Sequence, residues 1–323
     1  MKAVVHERYG VPDVLELRDV ERPTIEDHQV LVRVHASSVN PAEWYGVTGP
    51  YFTRLFGGGL RRPKTTTVGA DLAGRVEAVG KDVTEFQPGD EVFGTSGAAW
   101  AEFAPAREPR LVHKPANVSF EEAAAAPIAA TTALQALRDH GGVQPGQKVL
   151  INGASGGVGT YAVQIAKSFG AEVTAVCSTR NVELVRSLGA DHVVDYTQED
   201  FTRRGDRHDL MLDIAGSRSF RKFRWVLTPD ATVVIVGAKF PSNKGLGPLS
   251  HIIGTRVASV GRSQTAKFFI AKVSKEDLLV LQQLLEAGKM RSVIDRHYEL
   301  SQTADAMRYL GEGHARGKIV ITV

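Results

Sequence analysis

One stretch of about thirty residues constrains the fold of this chain more than any other, and it runs from Lys148 to Ser178. It reads KVLINGASGGVGTYAVQIAKSFGAEVTAVCS: a short apolar run, a turn of small residues, a helical apolar pattern and a second β-branched run. Gly170 closes the helical pattern where a left-handed C-cap is expected. The order of strand, glycine turn, helix and strand predicts a βαβ unit.

The turn of this unit, residues 153–159, has the composition that receives a diphosphate. Gly156 and Gly157 allow an anion to approach the backbone, and Gly159 allows the helix to pack closely on the strand. The first helical N–H groups and the positive end of the helix dipole then face the anion. Ala154 stands where the usual fingerprint has its first glycine, so the spacing reads A-x-G-x-x-G. We predict a dinucleotide site formed here by Ser155, Gly156, Gly157 and Val158.

The same turn has a second interpretation, because residues 153–157 also fit G-x-S-x-G, the nucleophile elbow of serine hydrolases. Ser155 would then be the nucleophile, with Asp213 and His297 as its partners. The elbow does not require Gly159, and no oxyanion-loop motif precedes it. The dinucleotide interpretation is favoured, and the hydrolase remains an alternative.

The end of the second strand predicts which dinucleotide binds. An NAD site has an Asp or Glu there to accept hydrogen bonds from the ribose 2′-hydroxyl. Here the chain reads VCSTRN over residues 176–181, without a carboxylate. Ser178 and Thr179 offer small donors, and the guanidinium of Arg180 suits a 2′-phosphate, although it also fits a solvated helix start. We predict that the cofactor is NADP(H).

Composition excludes several classes of protein. The 39 basic and 36 acidic residues give a net charge of +3, too balanced for a nucleic-acid partner. The single cysteine, Cys177, excludes an internal disulfide and an all-cysteine zinc site. No apolar run has the length of a membrane span, and no signal peptide is evident. We expect a cytoplasmic protein with neither a membrane nor a nucleic-acid partner.

The chain is punctuated as two kinds of fold. Residues 1–122 hold short strand-like runs between Gly, Pro and Asp signals, which predict a small barrel or sandwich, with a long irregular loop at 49–67. A capping box, Ser119 to Glu122, then opens an alanine-rich helix. From there strands alternate with helices, which predicts a doubly wound parallel sheet. Its six predicted strands are 148–154, 172–178, 192–196, 210–216, 232–239 and 256–262; the tail after residue 266 is predicted to return to the first domain.

Three further motifs, in order, resemble the medium-chain dehydrogenase/reductase superfamily. They are VGADLAGRV at 68–76 with Val79-Gly80, PGDEV at 88–92 and LGAD at 188–191. The resemblance covers the whole chain. It implies an α/β protein with a GroES-like β-rich catalytic domain (1–122 and 266–323) and a Rossmann NADP-binding domain (123–265). It also implies a homodimer.

The resemblance also bears on zinc. The zinc alcohol dehydrogenases of the superfamily use a Cys, a His and a second Cys, and by alignment these positions hold Asn40, Ala70 and the pair Pro127-Ile128. No soft donor stands at any of them. The chain therefore resembles the zinc-free quinone oxidoreductase branch, whose signature reads SVNPAE at 38–43; many relatives carry Asp at the position of Glu43.

This branch implies roles for residues outside the glycine turn. Asn40, a candidate catalytic residue, lies near the nicotinamide. Tyr45 and Tyr51 face the substrate pocket, where either of them or water would donate the proton, unless the tyrosines merely pack a lid. Thr132 borders the cofactor phosphates or the nicotinamide ribose. Ser178 and Tyr196 join Arg180 around the 2′-phosphate, and Gly237, Ala238, Phe268, Phe269 and Ile270 flank the nicotinamide end. Tyr196 also fits an ordinary strand end, and the phenylalanines also fit a core.

The predicted activity is transfer of a hydride from NADPH to a quinone or another conjugated carbonyl. No metal is expected to assist, so an acceptor that spreads its own developing charge suits the site best. An enoyl or alkenal double-bond reductase of the same branch differs only in its acceptor. An NADPH-binding protein without significant catalysis is the alternative from another class.

Overall fold

The structure is a computed structural model, and it describes residues 1–50, 53–54, 59–238, 240, 248–259 and 263–323, with the side chains of 248–249 left out. These residues form two compact units. One comprises Met1–Thr131 and Val273–Val323, and the other comprises Thr132–Lys272. Within the described residues, no helix combines the length and the apolar character needed to cross a bilayer.

The first unit begins with strands whose apolar residues alternate. Val30, Val32 and Val34 lie on one face of a long strand and pack on Leu72 and Val76 of the next. The strands are β1 (Lys2–Val5), β2 (Glu16–Asp19), β3 (Gln29–Val39), β4 (Asp71–Val79), β5 (Glu91–Thr95), β6 (Phe103–Arg107) and β7 (Leu111–His113). β1 pairs with β2 in a separate two-stranded sheet.

Two helices of this unit begin at caps. α1 (Pro41–Thr48) follows Asn40, has proline at its first position and ends at Gly49, whose φ is 57°. α2 (Phe120–Ala125) begins at the predicted capping box: the Ser119 N–H donates to Glu122 Oε2 at 3.0 Å, and the Glu122 N–H donates to Ser119 Oγ at 3.1 Å. This prediction is confirmed.

The second unit is a six-stranded, fully parallel sheet, which confirms the predicted doubly wound fold. Its strands are β8 (Lys148–Asn152), β9 (Glu172–Cys177), β10 (His192–Asp195), β11 (His208–Asp213), β12 (Leu227–Ile235) and β13 (Thr265–Phe268). Their spatial order is β10-β9-β8-β11-β12-β13, so the strand order reverses between β8 and β11. In open α/β sheets ligands bind at this reversal, beyond the carboxyl ends of the strands.

Helices connect these strands. α3 (Pro127–Gln135) crosses the border between the units, and the others are α4 (Gly157–Ser168), α5 (Val182–Ser187), α6 (Phe220–Phe223) and α7 (Pro248–Ser259). α4 is the helix predicted after the glycine turn. Gly170 beyond it has a φ of 79°, as its predicted capping role requires.

The predicted sixth strand at 256–262 is wrong. Residues 256–259 end helix α7, residues 260–262 lie outside the described residues, and the sixth strand is β13. Ile253 and Val257, one helical turn apart, are both exposed, while Thr255 between them is buried. Val257, a β-branched residue within the predicted range, thus lies exposed on a helix.

The tail belongs to the first unit. It contains α8 (Lys275–Glu286), β14 (Ile294–Glu299), α9 (Thr303–Gly311) and β15 (Lys318–Thr322). β15 is antiparallel to β3 and parallel to β14, and the seven-stranded sheet has the order β14-β15-β3-β4-β5-β7, with β6 also on β3. The last strand thus lies beside β3, which ends at Val39, directly before Asn40.

Candidate active site

Most of the predicted coenzyme residues lie at the carboxyl edge of the parallel sheet. Each group follows a different strand of the second unit. The groups are Ser155, Gly156, Gly157 and Val158 after β8; Ser178 and Arg180 after β9; Tyr196 after β10; Gly237 and Ala238 after β12; and Phe268, Phe269 and Ile270 at the end of β13. The fold thus gathers residues separated by more than a hundred positions along one edge.

The glycine turn has the shape that a diphosphate requires. Gly153 has a φ of 94°, and a Cβ on Gly156 would meet only the Gly153 carbonyl oxygen, at 3.7 Å. A Cβ on Gly159 would lie 2.1 Å from that same oxygen. Gly156 is therefore open toward the crevice, whereas Gly159 is required for packing of α4 on the turn. These residues fit a dinucleotide.

A buried polar cluster lies at the reversal of strand order. Asn152 Nδ2 donates to Asp213 Oδ1 at 2.7 Å, and the other carboxylate oxygen lies 2.7 Å from His251 Nε2. Ser155 Oγ accepts a hydrogen bond from Asn181 Nδ2 at 2.9 Å. The side chains nominated for a hydrolase thus have other partners, and His297 lies on β14 of the first unit. The hydrolase interpretation gains no support.

A carboxylate does lie near the end of β9, but it comes from the next strand. The Tyr196 N–H donates to the Cys177 carbonyl, which sets the ends of β9 and β10 side by side. Asp195 Oδ2 accepts from the Thr179 hydroxyl at 2.5 Å, and this bond lowers the pKa of Asp195. Arg180 and Tyr196 are both exposed. The local sequence of β9 carries no sign of Asp195.

The residues predicted for the nicotinamide end have different environments. A Cβ on Gly237 would lie 2.3 Å from the Ile214 carbonyl oxygen, so this position admits only glycine without movement. Phe269 stacks on His140, with ring centroids 4.2 Å apart. Ile270 is 77% exposed. Thr132 is half-buried on α3.

The first unit contains a cluster of buried polar side chains. Its members are Ser38, Asn40, Glu43, Asp71 and Lys318. They come from the end of β3, from α1 and from the starts of β4 and β15. A buried ammonium among carboxylates and an amide is costly unless every polar atom has a partner, so the contacts decide what the cluster does.

The side chain of Asn40 is hydrogen-bonded on both sides. Its Oδ1 accepts from Lys318 Nζ at 2.5 Å, and its Nδ2 donates to Asp71 Oδ2 at 2.9 Å and to Glu43 Oε1 at 3.4 Å. The Ser38 hydroxyl also donates to Asp71 Oδ2, at 2.6 Å. These contacts fix the orientation of the amide.

The two carboxylates of the cluster join the three positions that align with zinc ligands. Glu43 accepts from the N–H of Asn40 at 3.0 Å and from the N–H of Ala70 at 3.1 Å. Asp71 Oδ1 accepts from the N–H of Ile128 at 2.9 Å. Hydrogen bonds therefore connect positions that a metal would otherwise hold together.

Within the cluster, the carboxyl group of Glu43 changes its protonation state near neutral pH. Burial raises the pKa of Glu43 to about 7, and the neighbouring Asp71 carboxylate contributes in the same direction. The ammonium of Lys318 lies 3.5 Å from Asp71 Oδ2 and opposes the rise. The cluster thus supplies its own cation.

The donor chemistry of these positions does not suit Zn²⁺. The aligned positions offer the side-chain amide of Asn40 and the backbone amides of Ala70 and Ile128. None of them offers a thiolate or an imidazole. Across the described residues, no group of three or more His, Cys, Asp or Glu side chains is arranged to hold a metal ion. The catalytic roles predicted for Asn40 and Tyr45 remain predictions; Tyr45 is half-buried on α1, and Tyr51 lies outside the described residues.

Lys318 and Asn181 are among the residues of these sites that were not singled out from the sequence. Lys318 begins an apolar strand, KIVIT. A charged residue at a strand position expected to be buried is the sequence signal that could have identified it. Asn181 stands next to the predicted Arg180, but nothing local distinguishes it from an ordinary N-cap.

The fold and the crevice define a class: a two-unit α/β protein with a nucleotide site at the strand reversal of its parallel sheet. Comparison with known proteins agrees. Residues 26–116 match the alcohol dehydrogenase GroES-like domain family, and residues 188–321 match the zinc-binding dehydrogenase family. The chain belongs to the medium-chain dehydrogenase/reductase superfamily, in its quinone oxidoreductase branch.

Individual relatives cover nearly the whole chain. It is 32% identical to the chloroplastic quinone-oxidoreductase QR1 of Triphysaria versicolor, over 99% of this chain and 98% of that protein. It is 34% identical to the 2-methylene-furan-3-one reductase of Solanum lycopersicum, over 99% of this chain and 79% of that protein. The quinone oxidoreductase structure from Coxiella burnetii has a TM-score of 0.87 and 30% identity, over 100% and 99% of the two chains. The protein is therefore an oxidoreductase that uses a nicotinamide coenzyme.

Proposed function

We propose that the protein is a zinc-independent reductase that transfers a hydride from NADPH to a quinone or another conjugated carbonyl acceptor. The observation that carries the proposal is the open glycine turn at the start of α4, set at the strand reversal of the parallel sheet. When bound, the coenzyme supplies the hydride. The chain supplies binding, orientation and the removal of water.

The preference for NADPH rests on the end of β9. Arg180 offers a guanidinium, and Ser178 a hydroxyl, beside the position where the adenosine ribose lies in this fold. A guanidinium binds phosphate through paired, charge-assisted hydrogen bonds. The carboxylate of Asp195 opposes this preference, but its oxygens accept hydrogen bonds from Thr179 and Thr197.

The acceptor class follows from the chemistry of the buried cluster. Reduction of an unactivated ketone needs a strong electrophile at the developing alkoxide, which Zn²⁺ provides in zinc dehydrogenases. Here the ammonium of Lys318 is bound to Asn40 and Asp71 inside the protein. A conjugated acceptor spreads the charge itself and needs less assistance.

A second candidate is reduction of an enone or alkenal double bond. The relative from Solanum lycopersicum, whose name describes a reductase of an exocyclic enone, favours it. The two candidates share coenzyme, hydride transfer and proton donor. They differ in whether carbon or oxygen accepts the hydride equivalent.

A second copy of this chain is the partner we propose. Among the described residues, β13 is the last strand in the order of the parallel sheet and pairs with one neighbour, β12. Ile253 and Val257 of α7, beside β13, are exposed. An open strand edge next to exposed apolar residues fits an edge-to-edge dimer. Replacing both residues with glutamate should halve the mass found by light scattering; an unchanged mass would contradict this arrangement. We place the protein in the cytoplasm, where the lone, buried Cys177 stays reduced.

The experiment that tests the function has two stages. Calorimetric titration with NADPH and with NADH measures binding, and loss of the absorbance of the reduced nicotinamide then measures turnover. The acceptors are quinones, enones and a saturated ketone, each with and without a chelator. We expect oxidation of NADPH by quinones or enones that is indifferent to chelator. Chelator-sensitive reduction of the saturated ketone, or binding without turnover of any acceptor, would contradict the proposal.

A further inference from the structure

Asn181 lies between two of the hydroxyls that border the coenzyme crevice. Its side-chain nitrogen donates to Ser155 Oγ at 2.9 Å and to Ser178 Oγ at 3.2 Å. Ser155 belongs to the glycine turn after β8, and Ser178 is the first residue after β9. Asn181 therefore holds together the ends of two neighbouring strands at the place where the crevice opens.

The other side of the amide is unsatisfied. Asn181 is 4% exposed, and its Oδ1 is buried without a hydrogen-bond partner among the described residues. Buried carbonyl oxygens almost always have a donor, so this oxygen has an unused acceptor position that the hydroxyl of a ligand can fill. The amide is also held in place from the backbone, because the Asn181 N–H donates to the Ser178 carbonyl at 2.9 Å.

We propose that Asn181 is a coenzyme-binding residue, and that its amide oxygen accepts the hydrogen of the adenosine ribose 3′-hydroxyl. The inference rests on the proposed function. In a doubly wound fold the adenosine ribose lies against the end of the second strand, which Ser178 directly follows here. In NADPH the 2′-oxygen carries phosphate and has no hydrogen to donate. The 3′-hydroxyl is the ribose donor that both coenzymes possess.

The neutral amide also matters for coenzyme choice. A carboxylate at position 181 would accept the same ribose hydrogen, but it would add a negative charge beside the 2′-phosphate. An amide satisfies the hydroxyl without repelling the phosphate. Asn181 thus permits NADPH, whereas aspartate at this position would favour NADH.

The test compares Asn181→Ala and Asn181→Asp with the wild-type protein by calorimetric titration. The ligands are NADPH, NADH and the NADH analogue made from 3′-deoxyadenosine. For Asn181→Ala we expect about tenfold weaker binding of both NADPH and NADH, the loss of one hydrogen bond. The 3′-deoxy analogue should bind the wild type and Asn181→Ala equally. Asn181→Asp should bind NADH nearly as the wild type does and NADPH more weakly than Asn181→Ala does.

Asn117→Ala is the matched control, because it removes an amide of the first unit that donates to the carbonyls of Leu285 and Glu286 in that same unit. It should bind both coenzymes as the wild type does. Equal affinity of Asn181→Ala and the wild type for NADPH and NADH would overturn the inference while leaving the function intact. So would a loss on Asn181→Ala that is the same for the 3′-deoxy analogue. A wild-type protein that binds no nicotinamide coenzyme would overturn the function itself. The near-isosteric Asn181→Asp keeps the test valid if the alanine variant fails to fold.

Discussion

The ammonium of Lys318 donates a hydrogen bond to the side-chain oxygen of Asn40, 2.5 Å away, across two neighbouring antiparallel strands. The same ammonium lies 3.5 Å from Asp71, whose carboxylate also accepts from Asn40. An internal cation therefore stands beside a position that aligns with a zinc ligand in the zinc dehydrogenases. The positive charge in this cluster is thus supplied by a lysine side chain and not by a bound metal ion.

Removing Lys318 alone should be strongly destabilising. Lys318→Met leaves the buried Asp71 carboxylate without its cation, and breaking a buried pair in this way costs about 3–5 kcal/mol. Asp71→Asn in the same protein removes the stranded charge. We therefore expect the double variant to lose less stability than the sum of the losses in the two single variants. Urea unfolding of all four proteins measures this coupling.

Stability should depend on pH through Glu43. Its pKa is raised by burial from 4.5 to about 7 in the folded protein, so the folded state binds the proton more tightly than the unfolded chain does. The stabilisation is fully present below pH 4.5 and is lost as pH rises through about 7. The loss is on the order of 3 kcal/mol.

Glu43→Gln removes this titration and is the matched comparison. The free energy of unfolding of the wild type should fall between pH 5 and pH 8 relative to that of Glu43→Gln, because the variant has no proton to release there. Parallel pH profiles for the two proteins would show that Glu43 ionises at its ordinary pKa.

The signals that predicted the second unit are local in sequence. The glycine turn, the apolar face of α4 and Gly170 lie within one βαβ unit, and each limits the backbone over a few residues. The strands β8 and β9 were therefore predicted to within two residues of their observed ends. The strand predicted at 256–262 failed because a β-branched residue such as Val257 favours a strand locally but here lies on an exposed helix face.

The buried cluster was beyond local reasoning. Lys318 and Asn40 are separated by 278 positions, and Ser38 and Asp71 by 33. Their proximity depends on the pairing of β15 and β4 with β3, which no local pattern encodes. Resemblance to a family identified Asn40 as important, but the partners that fix its amide appear only when the sheet is assembled.

A valine at Gly156 should block the coenzyme while leaving the fold intact. A Cβ there meets only the Gly153 oxygen at 3.7 Å, so the added side chain fills the crevice rather than the core. We expect NADPH affinity to fall roughly a hundredfold, the loss of two hydrogen bonds to a charged group. Gly205→Val, at an exposed position whose Cβ would contact nothing within 4 Å, should bind normally. Normal NADPH binding by Gly156→Val would show that the diphosphate does not bind at this turn.

Gly159→Ala should have the opposite signature. Its Cβ would lie 2.1 Å from the Gly153 oxygen, so α4 must shift from the turn. Overpacking of this kind costs about 1–3 kcal/mol of unfolding free energy. Thermal unfolding measures this loss, and an unchanged Tm would show that the turn can relax.

Removing the charge of Arg180 and removing the charge of Asp195 should change the preference for NADPH in opposite directions. Arg180→Ala removes a candidate phosphate ligand and should weaken NADPH by about tenfold without changing NADH. Asp195→Asn removes the negative charge of a carboxylate that accepts a hydrogen bond from Thr179 at the end of β10. The affinity for NADPH should then rise severalfold at low salt. The ratio of the two dissociation constants, measured at two salt concentrations, checks both. An Arg180→Ala protein with an unchanged ratio would exclude this guanidinium from the 2′-phosphate site.

The proton that completes the reduction should come from Tyr45 or Tyr51. A phenol has a pKa near 10 and donates readily to a developing enolate or hydroquinone oxygen to which it is hydrogen-bonded. At least one of Tyr45→Phe and Tyr51→Phe should lower kcat by about a hundredfold with little change in KM. Tyr309→Phe is the control, because that hydroxyl donates to Asp295 at the tail of the first unit. If kcat is unchanged in both variants, while deuterated NADPH shows that hydride transfer limits the rate, the proton comes from water.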